Sequence, residues 1–120
     1  MSLSIEIITV DCHDPELLSS FWAETLAWEV AFESEEDGEV GIRGETASGY
    51  QELLFIRVPE PKPTKNRWHL DLRPDDQSAE VERLERLGAK RVDIGQEDTT
   101  WVVMADPEGN EFCVLRPKRQ

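Results

Sequence analysis

Three prolines in five residues, Pro59-Glu60-Pro61-Lys62-Pro63, divide this chain of 120 residues near its middle. Proline fixes φ and removes a backbone donor, so neither a helix nor a sheet ladder continues through such a run. The segment reads as a stiff extended linker. Whatever the chain folds into must therefore be assembled from the pieces on either side.

Those pieces have the same order. Before the linker, residues 3–12 are rich in β-branched residues and read as a strand. Asp14-Pro15-Glu16 then opens a helix: Asp14 caps, Pro15 suits the first helical position and Glu16 favours the positive end of the dipole. Leu17, Leu18, Phe21, Trp22, Thr25 and Leu26 recur at helical spacing and predict a core-facing stripe. Trp28–Glu33 and Glu39–Arg43 read as strands around a turn at Gly38, residues 44–49 as a loop, and Tyr50–Val58 as a further strand.

After the linker the order recurs. Arg67–Leu72 reads as a strand, and Asp75-Asp76 opens a helix with Val81, Leu84 and Leu87 on one face and Gly88 at its stop. Arg91–Ile94, Thr100–Ala105 and Glu111–Leu115 read as strands, the last two joined by the turn Asp106-Pro107-Glu108-Gly109-Asn110. The expected class is α+β, with two tandem βαβββ modules forming an open, cupped mixed sheet with its helices outside. Module one covers about residues 1–58, the linker 59–65 and module two 66–117, within one domain. A module under sixty residues has limited burial alone, and pairing two supplies the missing core.

Charge narrows the function. The chain carries 26 acids against 13 bases, a net −13, which disfavours nucleic acid and anionic membranes as partners. No apolar run reaches the length of a membrane span and no leader pattern opens the chain. Cys12 and Cys113 are too far apart in sequence for a zinc-ribbon or disulfide framework. Both sit in apolar strand-like runs, so buried free thiols and a cytoplasmic location are expected.

Four stretches in order resemble the vicinal oxygen chelate superfamily and its glyoxalase-like proteins, a group that also includes bleomycin-resistance proteins and dioxygenases. They are Val10–Glu16 leading to Phe21-Trp22 and Leu26-Ala27-Trp28, Leu54–Lys62, Asn66–Asp76, and Trp101–Phe112. The resemblance implies a glyoxalase-like fold. Its members include metal-dependent lyases, isomerases and dioxygenases, in which a divalent metal stabilises an oxyanion on the substrate, and metal-free drug binders.

The resemblance also implies where metal ligands would stand. The first lies seven residues before the aspartate that opens helix one, which is Ile7 here; its counterpart before Asp76 is His69. The fourth lies three residues after the Gly-Asn of the last turn, at Cys113. The symmetric position in the fourth strand is Phe55, with Glu52 or Gln51 entering under a shifted register. His69 is the only matching ligand position, and one His with one Cys falls short of a site for a divalent metal. No cofactor is therefore expected, and a zinc held by His69, Cys113 and Glu111 rests on no motif.

Strand alternation assigns the remaining faces. Trp68, Leu70 and Leu72 are expected on the helices, with His69 and Asp71 in a concave cavity. Ile5, Ile7 and Thr9, then Leu53, Phe55 and Arg57, then Trp101, Val103, Glu111 and Cys113 join the cavity side. Ile7, Thr9, Leu53, Phe55, Arg57, His69, Asp71, Trp101, Glu111 and Cys113 thus make up a mixed pocket suited to a small organic molecule. His69 and Asp71 are the candidate catalytic pair. The expected protein is a homodimer that binds a small-molecule ligand. Lyase, isomerase or dioxygenase activity from an atypical site, and drug sequestration, are the alternatives.

Overall fold

Each module builds its own four-stranded mixed sheet in a computed structural model that describes residues 2–93, 95 and 99–118. The chain divides into two units, Met1–Pro61 and Lys62–Gln120, so the break falls within the proline run.

The first unit runs β1 (Ile7–Cys12), α1 (Pro15–Leu26), β2 (Glu29–Ser34), β3 (Glu39–Thr46) and β4 (Gly49–Arg57). Its strand order is β1-β4-β3-β2, with β1 parallel to β4 and the other pairs antiparallel. The second runs β5 (Asp71–Leu72), α2 (Gln77–Leu87), β6 (Lys90–Arg91), β7 (Val102–Ala105) and β8 (Glu111–Val114), in the equivalent order β5-β8-β7-β6. The fold is α+β with two βαβββ modules. No helix among the described residues is long and apolar enough to cross a membrane.

Both helices start where their caps dictate. The Asp14 carboxylate accepts from the Leu17 N–H at 3.1 Å, and the Asp76 carboxylate accepts from the Ala79 N–H at 3.1 Å. They stop differently. Gly88 takes the left-handed cap of α2, whereas α1 ends on Ala27 at φ 56°, a conformation that costs a residue with a Cβ. Leu18, Phe21 and Trp22 bury the inner face of α1, with the two rings edge to face at 5.2 Å. Leu17 belongs to the outer face and is 54% exposed, a correction to the expected stripe.

Several strands differ from their sequence expectation because pairing, not β-branched content, defines them. The β1 ladder begins at Ile7 opposite Glu52, so residues 3–6 form no strand. In the expected loop 44–49, Gly44, Glu45 and Thr46 instead extend β3, paired to Gln51, Tyr50 and Gly49. Gly44 is required there: a Cβ would lie 2.1 Å from the Trp28 ring. In module two, pairing of the expected strand Arg67–Leu72 begins only where the Cys113 N–H donates to the Leu70 carbonyl, at 2.9 Å. Trp68 is 91% exposed, so it packs on no helix, and Leu70 is only partly covered. Ile94, the expected end of the strand after α2, lies outside the described residues.

Candidate functional site

Parallel and antiparallel partners point their side chains to the same face, so register sorts the expected pocket residues. In module one Ile8 pairs with Leu53 and Val10 with Phe55, while β3 sets Ile42 against Leu53 and Val40 against Phe55. Leu53, Phe55, Val40 and Ile42 are all buried. They form the core layer with α1, not a face shared with Ile7 and Thr9, and the sequence expectation is corrected there. The physical reason is the unbroken apolar run Leu53-Leu54-Phe55-Ile56: without polar alternation, period two cannot show which residues face the helix.

The opposite face of module one holds Ile7 with Glu52, Thr9 with Leu54, and Asp11 with Ile56. Phe32 joins it, since a Cβ on Gly41 would meet Phe32 and Leu54 at 3.6 and 3.7 Å. Arg43 also lies there, its guanidinium 4.8 Å from the centre of the Tyr50 ring. Arg57 sits apart from both sets, at the strand end beside Gly38. There it lines a shallow cavity of about 260 Å³ with Glu16, Glu33, Glu35 and Glu39.

Module two gathers the polar residues. Asp71 pairs with Cys113, and Cys113 with Val103, so all three share a face, and His69 reaches the same point. His69 Nε2 lies 3.1 Å from Asp71 Oδ1. The potential donor atoms of His69, Asp71 and Cys113 lie within 4.8 Å of one another. His69 and Asp71 are half exposed, while Cys113 is buried beneath them. Burial pushes the Cys113 thiol up, and the Asp71 carboxylate raises it further by its charge and as its hydrogen-bond acceptor; Lys65 pulls weakly the other way. The thiol is therefore a proton-holding donor at rest, and Asp71 is the acceptor between two neighbours. Trp101, just before β7, is 41% exposed.

Glu111 has a different task from the one expected. Its carboxylate lies 3.0 Å from Lys62 Nζ and accepts from the Asn66 N–H at 2.9 Å, while its backbone carbonyl accepts from Asn66 Nδ2 at 3.2 Å. Burial raises its pKa, but these donors outweigh burial and hold it below the usual glutamate range. Glu111 fastens the start of module two to β8, and Asp71, rather than Glu111, completes the group around His69 and Cys113.

The two modules can be compared position by position. Thr9 follows Ile7 by two residues as Asp71 follows His69, and the ladders pair Thr9 with Leu54 and Asp71 with Cys113. Leu54, not Phe55, is thus the module-one counterpart of Cys113. Neither Ile7 nor Leu54 carries a donor atom, so these residues do not fit a metal site drawing one ligand from each of the four positions.

The glyoxalase-like domain family matches residues 7–115. Among solved structures, a glyoxalase/bleomycin resistance protein/dioxygenase family enzyme from Burkholderia phytofirmans is similar at TM-score 0.69 and 16% identity, over 94% of this chain and 98% of that one. Glyoxalase I of Leishmania major is similar at TM-score 0.65 and 17% identity, over 96% and 87%. TnmS3, an antibiotic binding protein from a Streptomyces species, is similar at TM-score 0.63 and 22% identity, over 98% and 99%. Comparison with curated proteins finds no match. A match to the family over almost the whole chain, on a fold of two βαβββ modules, makes this chain a member of the glyoxalase-like domain family within the vicinal oxygen chelate superfamily.

Proposed function

We propose that this protein binds a small organic molecule on the module-two face that carries His69, Asp71 and Cys113, and that the metal site of its superfamily's enzymes has been lost. The observation that carries the reading is the hydrogen-bonded His69–Asp71–Cys113 group, half open to solvent, with the exposed Trp101 two residues before Val103, the ladder partner of Cys113. Polar groups set beside an apolar surface are what a ligand pocket uses to fix orientation. Donorless Ile7 and Leu54 support the loss of the four-ligand metal site.

The net charge of −13 and the exposure of Trp68 and Trp101 favour a cationic aromatic ligand, attracted by the field of the chain and stacked on an indole. An antibiotic binding protein has the same fold over nearly the whole chain, so sequestration is one use such a fold is put to. The 3.1 Å His69–Asp71 contact favours a second reading, proton transfer in a lyase or isomerase reaction. Two buried cysteines outside any disulfide support a reducing compartment. Among the described residues the end strands of each sheet, β1 and β2 in one and β5 and β6 in the other, each pair with a single strand, which supports a homodimer that light scattering checks against the monomer mass.

The test is a thermal-shift screen of cationic aromatic antibiotics with chelator present. A compound that raises Tm for the wild type, but not for His69→Ala or Asp71→Ala, is the expected result. Compounds that stabilise both variants as well as the wild type would place the ligand elsewhere. Turnover of the ligand, lost in His69→Gln while binding persists, would favour the catalytic reading.

A further inference from the structure

Two donors of this group, His69 and Cys113, stand at positions of the four-ligand site, and the third, Asp71, stands outside it. Asp71 and Cys113 are direct partners across the β5–β8 ladder, so their side chains leave one face side by side, and His69 is two residues up the same segment. We propose that His69 Nε2, an Asp71 carboxylate oxygen and Cys113 Sγ form a three-donor site for a thiophilic divalent ion of the zinc class, complete within module two.

The geometry supports such a site with little movement. Ligands about 2.0–2.3 Å from a tetrahedral zinc stand roughly 3–4 Å from one another. The His69–Asp71 separation, 3.1 Å, is already in that range, and no pair among the three donors exceeds 4.8 Å. Closing the remaining gap takes side-chain rotation of about an ångström, and His69 and Asp71 are exposed enough to make it. One nitrogen, one oxygen and one sulfur select zinc, cadmium or cobalt over magnesium, calcium or manganese, which prefer oxygen alone. As the sulfur–metal bond forms, the Cys113 proton leaves to water. Three protein ligands leave a fourth position open to solvent or to a ligand. The nearby cations do not prevent binding: Lys62 is paired with Glu111, and Lys65 is exposed. The donors already form a hydrogen-bonded group without an ion, so the fold does not depend on the metal.

The experiment uses the full chain, stripped with chelator and titrated with cobalt(II) alone, so it stands or falls separately from the search for an organic ligand. The expected result is an ultraviolet sulfur-to-cobalt charge-transfer band that saturates at about one ion per chain, and that zinc erases while magnesium does not. Cys113→Ser should lose the band, Cys12→Ser should keep it, and Asp71→Asn and His69→Ala should each weaken cobalt binding at least tenfold. Far-ultraviolet circular dichroism confirms that each variant is folded. No charge-transfer band in the wild type would overturn the proposal. So would a band that survives Cys113→Ser, or cobalt affinity unchanged by both Asp71→Asn and His69→Ala.

Discussion

Module one and module two share an element order and a strand order, yet they place chemistry differently. In module one β4 is nine residues long and its ladder with β1 sets Ile7, Thr9 and Leu54 on the face opposite α1. In module two β5 is two residues long, and the equivalent positions hold His69, Asp71 and Cys113. The repeat keeps the backbone ladder order and the aspartate N-caps of the helices, which any sequence satisfying the pattern can supply. It does not repeat the side chains on the open face: Ile7, Thr9 and Leu54 in module one stand where His69, Asp71 and Cys113 stand in module two.

Core substitutions should break this comparison most strongly. Phe55→Ala removes a side chain with no exposure and should cost about 3–5 kcal/mol. Ile7→Ala, on the opposite face and 40% exposed, should cost under about 1.5 kcal/mol. Phe112→Ala, 1% exposed, should match Phe55→Ala, whereas His69→Ala should change stability by less than about 1 kcal/mol, since a half-exposed pair contributes little. Urea denaturation measures all four. Equal losses at Ile7 and Phe55 would mean that the register of β1 on β4 is wrong.

Gly44→Ala should cost about 1–3 kcal/mol, because the methyl would overlap the Trp28 ring at 2.1 Å. A neutral result in the same denaturation series would contradict the extension of β3 beyond Arg43.

The strap at the start of module two has a pH signature. Glu111 is held below the usual glutamate range in the folded chain, so its contribution is present above the unfolded pKa and fades as pH falls through the folded one. Glu111→Gln should lower stability near neutral pH by about 1 kcal/mol, and the gap from wild type should close in acid. A gap that widened in acid would reverse the sign and remove the Lys62–Glu111–Asn66 account.

Two features of the fold were legible in the sequence for clear physical reasons. The proline run and the aspartate caps act through local backbone chemistry, so Asp14, Asp76 and the break near Pro61 stand close to where the residues imply. Faces were legible only where polarity alternates. His69 and Asp71 flank Leu70, and their meeting with Cys113 follows once β5 pairs with β8. Leu53–Ile56 has no polar residue to mark a side, which is why alternation alone puts Leu53 and Phe55 on the wrong face. The engagement of Glu111 with Lys62 and Asn66 crosses 49 and 45 residues of sequence and leaves no local signal.

The smallest expected effect concerns the ends of the helices. Ala27→Gly should stabilise the chain by about 0.5–1 kcal/mol, by relieving a left-handed alanine where α2 already uses Gly88. A loss of stability by thermal melt would show that the cap of α1 is set by something other than backbone strain.

The central claim, that ligand-facing chemistry belongs to module two, has a direct spectroscopic test because the chain has only two histidines. His69 sits with Asp71 and Cys113, and His13, in module one, lies 3.1 Å from the Glu60 carbonyl. Nitrogen-15 spectra of the imidazole rings, recorded while adding the antibiotic that most raises Tm, should show the His69 signals shifting to saturation and the His13 signals unmoved. Saturable shifts at His13 with His69 unmoved would contradict the account.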